Sequence, residues 1–215
     1  MRLYSFWGSS ASFRARIALG LKGIELEYVA VNLRAKEQQA EGYRRLNPQG
    51  KVPLLVDGEV AIAQTVAIVE YLEEVRPEPR LLPPDAAGRA RVRSLSLHVA
   101  CEVQPLNNSA VEGYLAKVVG LGEEGLVAWR RRWIERGFDA VEAMLGGKET
   151  GRFCHGDAPG MADCFLVPQV YKAVQPGTEL EMERWPRIAA VYARCAELPA
   201  FAEAMPERQP DYPAG

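Results

Sequence analysis

Val52-Pro53-Leu54-Leu55-Val56-Asp57-Gly58-Glu59-Val60-Ala61-Ile62-Ala63-Gln64-Thr65 is the stretch on which the fold turns. Two short apolar runs, 52–56 and 60–63, flank Asp57-Gly58, a strong short-range hairpin signal. Upstream, residues 3–6 read as a strand. The small polar run Gly8-Ser9-Ser10-Ala11-Ser12 then opens a helix that reaches about Lys22 and stops at Gly23. A second strand covers 26–31, a Gln-rich stretch over 36–43 reads as one loose helix, and Asn47-Pro48-Gln49-Gly50 makes a turn. Downstream, a helix from about Thr65 to Glu74 closes a small α/β unit over residues 1–75.

Four of the 15 prolines (Pro77, Pro79, Pro83, Pro84) fall between Arg76 and Pro84. Proline cannot continue a helix and stiffens an extended connection, so 76–86 reads as a linker. From 87 to 215 the apolar spacing is helical, with segments at 87–112, 124–145, 161–173 and 187–197 and no strand pattern. Pro105 sits inside the first of these and is expected to kink it. The triple Arg130-Arg131-Arg132 reads as a solvated helix face, and Trp129 with Trp133, one turn apart, as core.

The 215 residues are 48% hydrophobic, enough for a real core, and 26 basic against 28 acidic residues leave a net charge of −2. Such a balance offers no electrostatic footprint for nucleic acid or an anionic membrane. No apolar run approaches the roughly 20 residues of a spanning helix, and no signal-peptide pattern opens the chain, so a cytoplasmic protein is expected. Cys101, Cys154, Cys164 and Cys195 form no C-x-x-C pair and read as free buried thiols, and with His98 and His155 the only histidines, no metal site is expected.

Three places carry candidate chemistry. A cis Val52-Pro53 bond would turn the Val52 backbone outward, free to pair with an extended peptide by strand addition, although an edge-strand proline explains the dipeptide taken alone. Gln64-Thr65 lies between the second hairpin strand and a helix, where a hydroxyl and free helix N–H groups hold a carboxylate or simply cap the helix. Ser9 and Ser10 enter the first helix, where hydroxyl donors and the positive end of the helix dipole favour a thiolate; capping explains them equally well.

Together, Ser9-Ser10-Ala11-Ser12-Phe13-Arg14-Ala15-Arg16-Ile17-Ala18-Leu19, Leu46-Asn47-Pro48, Val52-Pro53, the Asp57-Gly58 hairpin, Gln64-Thr65-x-Ala67-Ile68 and Ala162-Asp163-x-x-Leu166-Val167-Pro168-Gln169-Val170 resemble the zeta-class glutathione transferases, which include the maleylacetoacetate and maleylpyruvate isomerases. The resemblance covers nearly the whole chain. It implies a thioredoxin-like first domain with a mixed four-stranded sheet, an all-helical second domain, glutathione as cofactor and a homodimer. It further implies that Ser9 and Ser10 stabilise the glutathione sulfur, that Val52 pairs with the cysteinyl backbone, and that Gln64 and Thr65 hold the γ-glutamyl end. Gln38, Gln104 and Asn108 would reach the glycyl side and the co-substrate.

The chain departs from that pattern in places. Ala11 stands where the family has cysteine, which removes mixed-disulfide chemistry beside the glutathione. Gly8 and Gln175 stand where the isomerases carry arginines suited to a dicarboxylate, each charge-assisted contact being worth about 1.5–3 kcal/mol. Arg14 and Arg16 are expected to face the domain interface or solvent rather than replace them. The leading expectation is therefore a bound thiolate adding to a small electrophile, with isomerisation or conjugation as the outcome and the missing arginines favouring conjugation of a halogenated or other non-dicarboxylate substrate. The alternative is a catalytically silent glutathione-binding module; a thiol–disulfide oxidoreductase is disfavoured because no cysteine precedes Cys101.

Overall fold

In a computed structural model that describes residues 1–213, the chain divides into two compact units: Met1–Leu81 joined by the segment from Ala196 onward, and Leu82–Cys195. The sequence expectation placed everything after residue 87 in the second unit. The last segment departs from it because helix α9 (Pro199–Glu203) packs on α1 (Ser10–Leu21), where Gly20 presents no side chain to the Ala200 methyl.

The first unit holds a four-stranded sheet in the order β2-β1-β3-β4, with β1 Arg2–Ser5, β2 Glu27–Ala30, β3 Leu54–Asp57 and β4 Val60–Ala63. β1 runs parallel to β2 and antiparallel to β3, and β3 pairs antiparallel with β4. Strand alternation sends Leu3 and Leu55, both fully buried, to one face. Tyr4 and Leu54 go to the other, packed with Val31, Val52 and Tyr43 of α2 (Glu41–Leu46). The Gln-rich stretch is two pieces rather than one helix: a 3₁₀ turn, Glu37–Gln39, and then α2. The hairpin loop is Gly58-Glu59, since Asp57 still pairs with Val60 and only Gly58 takes positive φ, +59°. Helix α3 (Thr65–Val75) packs on α1. A buried ion pair from Lys22 to Glu73 ties their C-terminal ends, with Lys22 Nζ also donating to the Arg76 carbonyl at 2.7 Å.

The second unit contains α4 (Ala86–Leu97), α5 (Ser109–Tyr114), α6 (Glu123–Met144), α7 (Met161–Val174) and α8 (Pro186–Ala196). Helix α7 is its centre, buried along nearly its whole length. Asp163 starts α7 by accepting the N–H groups of Gly160 (2.8 Å) and Cys154 (2.9 Å). Gly160 has no side chain to return the favour, so the carboxylate does the capping alone. The expected long helix over 87–112 breaks instead of kinking. After α4 it widens into a π-helical turn, His98–Val103, and tightens to 3₁₀ at Gln104–Asn107 before Asn108 caps α5. Pro105 lacks the N–H an uninterrupted helix needs there.

Arg130 also departs from expectation. Its guanidinium is mostly buried, 3.3 Å from Glu112 and 3.2 Å from Glu123, while Arg131 and Arg132 are exposed. Trp129 and Trp133 are half-buried and stack edge to face at 5.5 Å. Cys154, Cys164 and Cys195 are buried, whereas Cys101 is exposed.

Candidate functional site

Register brings the first-unit candidates together. Tyr4 pairs with Leu54, and Leu54 pairs with Ala63 on its other side. The chain leaving β1 toward Ser9 and Ser10, the chain entering β3 at Val52, and the chain leaving β4 at Gln64 and Thr65 therefore share one end of the sheet. Ala30 pairs with Ser5, so the connection from β2 toward Gln38 leaves at that end too. Three neighbouring strand ends span about 10 Å at roughly 4.8 Å per strand, which is also about the length of an extended tripeptide.

Each candidate is held locally. Ser9 is the N-cap of α1, its hydroxyl accepting Ser12 N–H at 3.1 Å, so its own O–H proton remains to be donated. Ser10 begins the helix, half-buried beside the unsatisfied N–H groups of the first turn. The Val52-Pro53 peptide is cis, and Val52 precedes the ladder, which starts at Leu54. Tyr43 OH and Asn47 Nδ2 both donate to the Lys51 carbonyl at 2.7 Å, which fixes the approach to Val52. Burial pushes the Tyr43 hydroxyl up to about 12.

Gln64 is the N-cap of α3 with φ 72° and ψ 126°, a region non-glycine residues avoid, and it is exposed. Its amide donates to Gln49 Oε1 at 2.6 Å. Thr65, at the first helical position, is buried. Gln38 presents a buried Oε1 with no hydrogen-bond partner among the described residues, an acceptor that a ligand N–H would satisfy. A cis bond at Val52 just before the ladder, two helix starts and an amide oxygen without a partner among the described residues fit an extended tripeptide with an anionic end.

Gln104 and Asn108 lie in the second unit, Gln104 in the 3₁₀ turn and Asn108 as the cap of α5. The Asn108 side-chain oxygen is engaged by the N–H groups of Ala110 and Val111, both at 2.9 Å, which leaves only its NH₂ for a ligand. A cavity of about 310 Å³ lies in the first unit, lined in part by Trp7, Asn32, Arg34, Glu37 and Asp211. None of the sequence candidates lines it.

Arg14 and Arg16 do not face solvent. Both are buried, and Arg16 turns back into its own unit, donating to the carbonyls of Ala204 (3.0 Å), Phe6 (3.4 Å) and Trp7 (3.3 Å). Sequence reasoning missed this brace, and it missed Asp211. An arginine on a helix and an aspartate near the chain's end carry no periodic or motif signal of the contacts they make.

Comparison with known proteins identifies the family and the fold. The glutathione S-transferase N-terminal domain family matches residues 1–74 and the corresponding C-terminal domain family residues 124–194. The chain is 47% identical over 212 residues to a maleylpyruvate isomerase of Ralstonia sp., covering 98% of this chain and 99% of that protein. A holo structure of maleyl pyruvate isomerase, described as a bacterial glutathione S-transferase in the zeta class, superposes with a TM-score of 0.95 at 46% identity, covering 99% and 100% of the two chains. The maleylacetoacetate isomerase of Methylobacterium extorquens AM1, solved with bound malonate and glutathione, superposes at 0.94 with 38% identity and full coverage of both. The chain belongs to the zeta class of the glutathione S-transferase family.

Proposed function

We propose that this chain is a glutathione-dependent enzyme that isomerises the cis double bond of a small dicarboxylic substrate of the maleylacetoacetate or maleylpyruvate type, working as a cytoplasmic homodimer. The observation that carries the reading is the shared sheet end at which the Ser9–Ser10 helix start, Val52 and the Gln64–Thr65 helix start emerge. Bound glutathione supplies the sulfur nucleophile, which adds to the double bond and departs after rotation about the resulting single bond, so it is recovered unchanged.

The protein's part is to hold and polarise. Ser9 donates its hydroxyl proton toward the sulfur while remaining the cap, and Ser10 adds a second donor at the positive end of α1. Val52 pairs with the cysteinyl backbone, the α3 start at Gln64 and Thr65 holds the γ-glutamyl carboxylate, and Gln38 Oε1 accepts from the glycyl side. Gln104 and Asn108 are retained as binding candidates on the second unit.

Conjugation is the second reading, favoured by Gly8 and Gln175 in place of cations. Turnover of both maleyl substrates with sub-stoichiometric glutathione, run beside a haloarene or haloacid conjugation assay, separates the two. Isomerisation with glutathione recovered is expected; conjugation alone would replace this reading.

A further inference from the structure

Gly8 is exposed and lies between Trp7 and the serine pair. Glycine is the residue with the most backbone freedom to lose, and across it Ser9 N–H donates to the Phe6 carbonyl at 3.1 Å, so the order of this turn rests on how Phe6 and Trp7 are anchored. The Trp7 anchor comes from the other end of the chain. Asp211 Oδ2 accepts the Trp7 backbone N–H at 3.0 Å, and its Oδ1 accepts Tyr28 OH at 2.6 Å. Arg16 takes the Trp7 carbonyl at 3.3 Å and reaches Ser5 Oγ at 3.4 Å. Tyr28, Asp211, Trp7, Arg16 and Ser5 thus form one continuous hydrogen-bonded chain. Burial, and secondarily the bond to Asp211, raise the Tyr28 hydroxyl above its ordinary range, so it stays a donor to Asp211. The indole of Trp7 meets Tyr212 edge to face at 4.8 Å and lies under the Arg34 guanidinium. The cavity abuts both Trp7 and Asp211, so close packing does not stand in for the carboxylate there.

We propose that Asp211 is a positioning residue for the glutathione chemistry: it clamps Trp7, and through Trp7 it holds the Gly8–Ser10 loop so that both hydroxyls point at the sulfur. The proposal rests on the role given above to Ser9 and Ser10. The clamp itself exists without ligand and is read separately, by amide hydrogen exchange of the ligand-free, full-length protein. In Asp211→Ala, Trp7 N–H exchange should rise roughly tenfold or more. The kcat should fall by about tenfold while the KM for glutathione stays within about twofold, because the tripeptide's backbone contacts are untouched. Asp211→Asn keeps an acceptor for Trp7 and should remain within about threefold of wild type on both readouts. Tyr28→Phe, which leaves Asp211 unsupported, should fall between them and serves if Asp211→Ala folds poorly. Unchanged Trp7 exchange in Asp211→Ala overturns the proposal. So does an equal loss in Ala and Asn variants with kcat and KM moving together, the mark of general destabilisation. A wild-type protein that fails to bind glutathione would instead sink the proposed function and leave the exchange result standing.

Discussion

Ser9 Oγ accepts the backbone N–H of Ser12 at 3.1 Å, and that bond divides the work of two adjacent serines. In the proposed mechanism Ser9 is both cap and donor, whereas Ser10 is only a donor. Ser9→Ala should therefore lose about 1 kcal/mol of stability as well as turnover. Ser10→Ala should keep its thermal midpoint and lose about 10- to 100-fold in kcat, with glutathione affinity nearly intact in both. Thermal melts and steady-state kinetics on the pair check this. Unchanged turnover in the double variant removes the serines from the mechanism.

Gln64 holds a positive φ of 72° where glycine would rest without strain, a cost of about 1–3 kcal/mol. Gln64→Gly should recover part of that in a denaturant melt while weakening glutathione binding. Glutathione affinity measured by calorimetry that does not change would detach Gln64 from the site.

The Lys22–Glu73 side chains are 0% and 6% exposed, and Glu73 also accepts Leu81 N–H at 2.7 Å. Glu73→Ala strands a buried ammonium and should cost about 3–5 kcal/mol by chemical denaturation. Replacing both, Lys22→Met with Glu73→Leu, should recover most of the loss, because no unpaired charge remains. A double variant as unstable as the single one would show that the hydrogen bonds to Arg76 and Leu81, not the charges, dominate.

A Cβ added at Gly137 would lie 2.3 Å from Val103 Cγ2, closer than any real contact. Gly137→Ala should destabilise the second unit by about 1–3 kcal/mol through overpacking despite alanine's better helix propensity. Val103→Ala on top of it should restore part of the loss. Additive losses in the double variant would mean that the clash is relieved elsewhere.

Tyr43 keeps its proton in the folded state to about pH 12, while the unfolded chain loses it near 10. Between those values the folded state binds more protons, so stability falls as pH rises through that window. Tyr43→Phe should show a shallower decline over the same range in denaturation midpoints. Identical slopes would place the alkaline loss on other groups.

Much of this was legible in the chain because it is local. The two apolar runs around Asp57-Gly58 announce a hairpin, Gly23 a helix end, Val52-Pro53 a cis bond, and Ser9 a cap; each is decided within a few residues by sterics or by one hydrogen bond. The first-unit candidate positions were legible for the same reason, since they are strand ends and helix starts that register lines up at one end of the sheet.

Local readings failed where a distant partner competes with propensity. The helical pattern over 87–112 gave way at Pro105, where Asn108 offered a fresh cap. Arg130 left the solvated face its neighbours keep because Glu112 and Glu123 offered paired burial. Composition and spacing by themselves determined a two-part α/β and all-α protein, and the resemblance to the zeta class supplied the expectation that its strand ends bind a tripeptide. Only the tertiary structure decided that the segment from Ala196 returns to the first unit and that Asp211 clamps Trp7, 204 residues away in sequence. The physical reason is that a carboxylate's choice of backbone N–H depends on which loops the packed helices bring within 3 Å, and no window of sequence holds both partners.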